Sequence, residues 1–124
     1  ALAEGKTVVS DRYLLANVVY QGYGGGLDVE ALWRVGRVAT DGVMPDLTVL
    51  LDMPAEAAAG RLNRELDRME RQGDAFHARV RDGFLAEASR RSDAIVVLDA
   101  SADVETVHRA IREAVGLFMK QGQR

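Results

Sequence analysis

Asp11 and Arg12 end a short apolar run, VVSDRY, and a strand that finishes in an acid and a base can aim both at a ligand. A guanidinium in that position can fork onto two phosphate oxygens, and a neighbouring carboxylate can hold a hydrated Mg²⁺. A salt-bridged surface turn would account for the same pair without any function. Asn17, Tyr20 and Gln21 follow at helical spacing, three and four residues apart from Asn17, which sets them on one face. Two amides and a phenol suit a flat heteroaromatic ring with hydrogen-bonding edges; the plainer reading is a solvated polar face. Residues 61–71, RLNRELDRMER, mix arginines with acids. Arg61, Arg64 and Arg68 recur at steps of three and four, and Asp67 and Glu70 are also one turn apart. Such a run is ordinarily a solvated helix laced with ion pairs. A guanidinium stripe also matches a polyphosphate whose charge must be neutralised during transfer.

Other features carry less. The glycine cluster GYGGG, residues 22–26, is no phosphate loop, because it follows a helical stretch and no Lys-Ser/Thr comes after it; a flexible bend is expected. His77 and His108 have no companions at metal-ligand spacing and read as positions on amphipathic helices. Trp33, the lone tryptophan, reads as core.

These residues have to be positioned by a small domain. The chain has 124 residues, 48% hydrophobic and 28% charged, which suits one globular domain over 1–124 with a real core. The net charge of −3 supplies no overall basic field to recruit nucleic acid. No apolar run approaches the roughly 18 residues that span a bilayer, so no membrane partner is expected. The absence of cysteine excludes disulfides and thiolate metal sites and fits a reducing cytoplasm.

Three continuous apolar runs read as buried strands: residues 7–10 (TVVS), 47–53 (LTVLLDM) and 94–98 (AIVVL). Helical patterns alternate with them. Residues 28–40 carry Val29, Leu32, Val35 and Ala39 with Asp28 as N-cap; residues 74–90 carry Phe76, Val80, Phe84 and Ala88. Residues 103–120 carry Val104, Val107, Ile111, Ala114 and Phe118, with Asp103 as N-cap. The alternation implies an α/β fold, a three-layer α/β/α arrangement around a mostly parallel sheet. Three strands make a thin sheet, and ALAE before Gly5 reads as the last turn of a helix, so the chain is expected to begin inside a larger protein.

Together, the stretches SDRYLLANVVYQGYG, PDLTVLLDMPAEAAAGRLNR, ELDRMERQGDAFHARVRDGFL and VVLDASADVETV resemble the thymidylate kinases, P-loop nucleoside monophosphate kinases. The resemblance covers nearly the whole chain in the family's order. It is most specific in the DRY…YQG block and the DR-x-E…F-x-x-RVR-x-x-FL block. It implies transfer of the γ-phosphoryl group of ATP to dTMP, with Mg²⁺, by a cytoplasmic homodimer. Asp11 and Arg12 match the family's Asp-Arg pair at the acceptor phosphate, with Asp11 reaching the metal through water. Asn17, Tyr20 and Gln21 fall where thymidine is bound. Arg61 matches the arginine that leans on adenine, and Ala100, Ser101 and Ala102 fall where adenine meets backbone. Arg64 and Arg68 belong to a lid, about residues 61–73, that closes over the phosphates, and Asp67 and Glu70 match lid acids near the acceptor.

Two departures bear on these roles. The family's first strand, Walker A loop and first acceptor-binding helix are expected before Ala1, and without that loop's cradle a chain of only these residues is expected to be inactive. Lids of the family often carry a few extra Gly/Arg residues between positions like Arg64 and Glu65, so either the lid here is short or residues are omitted there because they are disordered. A related kinase for another deoxynucleoside monophosphate fits the same residues. So does a non-catalytic nucleotide-binding remnant, or an interaction module using the helix at 28–40. A strand followed by G-x-x-x-x-G-K-S/T upstream would separate the kinases from the others.

Overall fold

The computed structural model of the chain describes residues 1–54 and 73–122. A 3₁₀ turn, Leu2–Glu4, ends at Gly5, whose φ of 78° suits a residue without a side chain and whose N–H returns to the Leu2 carbonyl. Helix α1 (Leu14–Val18) runs directly into a π-helical turn, Val19–Gly24. Helix α2 (Val29–Ala39) precedes strand β1 (Thr48–Asp52); helix α3 (Asp74–Arg90), strand β2 (Ile95–Asp99) and helix α4 (Val104–Gln121) complete the order.

The two strands lie parallel, in register from Thr48 opposite Ile95 to Asp52 opposite Asp99. With helices between and around them, the described residues form an α/β structure, as the alternating pattern implies. Residues 7–10 depart from the expectation of a third strand. They are joined to no ladder among the described residues, with Val8 56% and Val9 90% exposed. β-branched residues favour an extended backbone, but only a neighbouring strand turns that into a sheet, and β1 is paired here with β2 alone.

The helix boundaries follow their caps. The Asp28 carboxylate accepts from the backbone N–H groups of Glu30 (3.0 Å) and Ala31 (3.2 Å), and Asp103 accepts from Thr106 (3.1 Å). Asp41 (φ 55°) and Gly42 (φ 75°) then turn the chain out of α2, and the Gly42 N–H donates to the Arg37 carbonyl at 2.8 Å. On α3 the expected stripe of Phe76, Val80, Phe84 and Ala88 is the inward one, with Val80 and Ala88 buried.

Helix α2 corrects the expected stripe. Val35 is 68% exposed, and the inward positions are Trp33 and Gly36. The bulky indole fixes the rotation of the helix, and Gly36 supplies the space for Leu14 of α1. A Cβ on Gly36 would lie 2.1 Å from Leu14 Cδ1. Leu14, Val18 and Trp33 form the core cluster, backed by Leu15, Val29, Leu32 and Met44. Burying each large apolar side chain is worth roughly 1.5–3 kcal/mol, more than any single cap supplies, so the core sets how α1 and α2 meet. Helix α4 is looser: Val107, Ile111, Ala114 and Phe118 are half-buried, and Val104 is exposed.

The glycines of α2 and α4 provide a paired test. Gly36→Ala gains helix propensity but forces its methyl into the buried Leu14, and is expected to destabilise the protein by about 1–3 kcal/mol. Gly116→Ala lies in open space on α4 and is expected to stabilise it by about 0.5–1 kcal/mol. Urea unfolding of the two variants beside the parent reads both signs.

Candidate functional site

In open parallel sheets ligands gather beyond the carboxyl ends of the strands, and here both strands end there in Leu-Asp. Asp52 and Asp99 are register partners, so the two carboxylates leave the sheet side by side. Each is engaged differently. Arg81 of α3 forks onto Asp52, Nε to Oδ1 at 2.9 Å and Nη2 to Oδ2 at 3.1 Å. Asp99 accepts from both the N–H (2.9 Å) and the hydroxyl (2.5 Å) of Ser101, and these bonds hold its carboxyl below the ordinary aspartate range. The Ala100 N–H donates to the Asp52 carbonyl at 2.8 Å, fixing Ala100, Ser101 and Ala102 as a turn over the strand ends. Ala100 is buried, while Ser101 is exposed.

A second group assembles where the N-terminal arm meets α3. The Arg12 guanidinium lies 5.7 Å from the centre of the Tyr20 ring. Tyr20 in turn stands 6.0 Å from Phe76 and 6.2 Å, edge-on, from Phe84. A cation held against an aromatic face keeps its forked N–H groups free for an anion. Asp11 and Arg12 are both exposed, and among the described residues no ion pair joins them, so the salt-bridged turn is not formed. Tyr13 anchors the arm, donating its hydroxyl to the Val43 carbonyl at 2.9 Å.

Asn17 and Gln21 are exposed beside Tyr20, which is half-buried. The helix that carries them continues through the glycine cluster, so residues 22–24 belong to the π turn, and only Gly25 and Gly26 make the expected bend. A π turn closes i→i+5 bonds, so a step of four residues falls short of a full turn. Gln21 is thereby rotated relative to Asn17 compared with an unbroken α-helix. Close contacts with α3 enforce this path: a Cβ on Gly24 would meet Phe76 Cε2 at 2.6 Å, and one on Gly83 would meet Tyr23 Cγ at 2.5 Å. Arg79 adds a bond from Nη2 to the Gly24 carbonyl at 3.2 Å.

Behind the π turn lies Glu87, a carboxylate with no exposed surface. Oε2 accepts from the Tyr23 hydroxyl at 2.8 Å and from Arg90 Nη1 at 3.1 Å. Oε1 accepts from Trp33 Nε1 at 2.7 Å and faces Arg91 Nε at 3.7 Å, an electrostatic pairing without a hydrogen bond. Arg90 also reaches Glu30 of α2 at 2.8 Å. Burial, and then the bond to Glu87, push the Tyr23 hydroxyl above its ordinary range, and Arg90 lowers Glu30 through its hydrogen bond.

Arg61, Arg64, Asp67, Arg68 and Glu70, and the lid segment 61–73 apart from Gly73, lie outside the described residues. Of the other candidates, Arg12 and Tyr20 meet directly, Asn17 and Gln21 are exposed on the helical segment that carries Tyr20, and Ala100, Ser101 and Ala102 stand over the strand ends. Sequence reasoning missed Asp52, Arg81 and Glu87. The repeated Leu-Asp at the ends of two runs was a signal for the first; nothing in spacing alone marks Glu87 as buried. His77 and His108 are exposed on α3 and α4, and among the described residues no three His, Cys, Asp or Glu side chains converge on a metal position. A cavity of about 240 Å³ opens at the other end of the sheet, by Thr48 and Ile95, where Trp33, Arg37 and Arg91 line it; it is remote in topology from the strand ends that carry the polar groups.

A family model described as thymidylate kinase matches residues 1–111. Among similar proteins, the thymidylate kinase of Rhodopirellula baltica is 50% identical over 118 residues, covering 95% of this chain and 48% of the relative. That of Pelotomaculum thermopropionicum is 41% identical, covering 100% of this chain and 61% of the relative. The enzyme named thymidylate kinase from Symbiobacterium thermophilum is 43% identical, covering 93% and 54%. The chain thus spans about half the length of the curated relatives it matches.

The raised Tyr23 hydroxyl gives a pH signature. In the folded protein the phenol keeps its proton to higher pH than in the unfolded chain, so its contribution is complete below the ordinary tyrosine range. That contribution is lost as pH rises from the ordinary value through the raised one. Denaturation of the parent and of Tyr23→Phe across alkaline pH is expected to show a stability gap that closes in that window. A gap that stays constant with pH would contradict the assignment.

Proposed function

This chain belongs to the thymidylate kinase family, and from that membership we propose that the whole protein transfers the γ-phosphoryl group of ATP to dTMP, giving dTDP and ADP. The observation that carries the reading is the approach of Arg12 to Tyr20, 5.7 Å from guanidinium to ring centre, beside the exposed amides of Asn17 and Gln21. A phosphate-binding group and a base-binding face then adjoin, as a nucleoside monophosphate requires.

In this reading a phosphate oxygen of dTMP attacks the γ-phosphorus of ATP, and the bond to the bridging oxygen breaks, leaving with ADP. Arg12 holds the acceptor phosphate and offsets charge accumulating on the transferring group. Asn17 and Gln21 face the base edges, and Tyr20 covers the sugar. Arg64 and Arg68 neutralise the phosphates from the lid, with Asp67 and Glu70 beside the acceptor. Arg61 and the backbone of Ala100, Ser101 and Ala102 receive adenine. Mg²⁺ is ordinarily held by one or two carboxylates together with nucleotide phosphates and water. Asp11, exposed and engaged by no ion pair among the described residues, fits that role through water. When bound, the ion neutralises phosphate charge. We further propose a cytoplasmic homodimer, supported by the exposed Val35 and Val38 on the outer side of α2. No described helix is long and apolar enough to cross a membrane.

In the full-length protein Arg12→Ala is expected to remove about 2–4 kcal/mol of transition-state stabilisation, roughly 30- to 1000-fold in kcat/KM. Arg12→Lys should rescue poorly, because an ammonium cannot fork. Steady-state kinetics near the parent's, with a lowered Tm, would instead assign Arg12 to stability.

The base face is tested separately by titration calorimetry with dTMP, UMP and an ATP analogue. Asn17→Ala is expected to weaken dTMP binding by about 1–3 kcal/mol and leave the ATP analogue unchanged. Tyr20→Ala should narrow the preference for dTMP over UMP. An equal loss for both nucleotides in Asn17→Ala would sink the assignment of this face to the acceptor.

A further inference from the structure

We propose that Glu87 is a positioning residue for the acceptor nucleotide, acting through Tyr23 to hold the π turn in the path that presents Tyr20 and Gln21. The inference rests on the acceptor reading of that face and extends it to a residue that touches no substrate.

The chain of contacts is short. Tyr20, Gln21 and Tyr23 belong to one π turn, Val19–Gly24. The Tyr23 ring lies against Gly83, where a Cβ would come within 2.5 Å of Tyr23 Cγ, and its hydroxyl then reaches Glu87, one α-helical turn further along α3. The same carboxylate accepts from Trp33 of α2 at 2.7 Å. One buried group therefore fixes the π turn from behind and ties it to the helix that follows.

A π turn is uncommon beside the α turn that the same residues could form, so tertiary contacts must hold it. Phe76 and Phe84 hold the Tyr20 end, and Glu87 holds the Tyr23 end. Releasing Tyr23 would let the segment rewind toward α geometry, which turns Gln21 and Tyr20 away from their present directions. An apolar side chain of similar size could fill the space at 87 without four polar neighbours, and a buried carboxylate is a costly filler. Its use is directional: two oxygens accept from Tyr23 and Trp33 at fixed angles, while Arg90 and Arg91 balance the charge.

The test uses the full-length protein and steady-state kinetics with each substrate varied. Tyr23→Phe keeps the ring against Gly83 and removes only the hydroxyl. It is expected to raise KM for dTMP about three- to tenfold, the scale of one net hydrogen bond, with kcat and KM for ATP unchanged. Glu87→Gln should do at least as much, since Trp33 can only donate and takes the amide's one oxygen, which leaves the amide N–H facing both the Tyr23 hydroxyl and the Arg90 guanidinium. Tyr23→Phe added to Glu87→Gln should then change little. If Glu87→Gln does not fold, Tyr23→Phe decides alone. A fall in Tm for Tyr23→Phe with KM for dTMP unchanged would make Glu87 purely structural and overturn the inference. Tyr20→Ala run alongside separates the two levels. If it raises KM for dTMP while Tyr23→Phe does not, only the positioning role fails. If Tyr20→Ala also leaves KM for dTMP unchanged, the acceptor reading itself fails, and the inference falls with it.

Discussion

A carboxylate shut away from water has to find every partner inside the protein, and Glu87 finds them on three separate elements. Tyr23 comes from the π turn, Trp33 from α2, and Arg90 and Arg91 from the end of α3 and the residue after it. Each of these must arrive at a set distance, so the position of one element constrains the others. The apolar core of Leu14, Val18 and Trp33 supplies the bulk of the stabilisation and sets how α1 and α2 meet. The polar hub adds direction, tying α3 to the π turn and to α2, and the Arg90–Glu30 pair continues that linkage out to the surface.

Helix α3 is where this constraint and the candidate chemistry meet. Its residues face three ways. Phe76 and Phe84 support Tyr20, Arg81 forks onto Asp52 at the strand end, and Glu87 secures Tyr23. A rigid helix therefore sets the Tyr20 ring and the strand-end carboxylate in one frame. Positioning of this kind is most of what phosphoryl transfer asks of a protein, because the chemistry is dominated by alignment and charge neutralisation.

Much of this was legible in the chain. Asp28 and Asp103 announced their helices, and both cap as expected. The apolar runs at 47–53 and 94–98 are strands because they pair with each other; residues 7–10 have the same composition and form none, since a strand is a property of two segments. The candidate residues Arg12, Tyr20, Asn17 and Gln21 were chosen from type and spacing, and of these the structure sets Arg12 against Tyr20. The π turn was not, because periodicity assumes a constant number of residues per turn, and the extra residue is imposed by glycine contacts with a helix some sixty residues later. Val35 was misassigned on the same ground: a tryptophan two residues earlier outweighed the regular stripe. Glu87 was illegible because charge in a sequence defaults to solvent, and only tertiary structure brings Tyr23 and Trp33 to it.

The sequence distances within the hub also carry a kinetic meaning. Tyr23 and Glu87 are 64 positions apart, and Trp33 and Glu87 are 54. Closing loops of that length costs chain entropy before any contact repays it, whereas α2, α3 and α4 can each begin from local bonds. The hub thus belongs to the last stage of folding, after the helices exist and as the parallel strands come together. Interactions made that late do little to speed folding; they lengthen the life of the folded state, because they are the first to be given up on the way out. The buried carboxylate is in this sense a latch, and its strength is expressed in how seldom the domain opens.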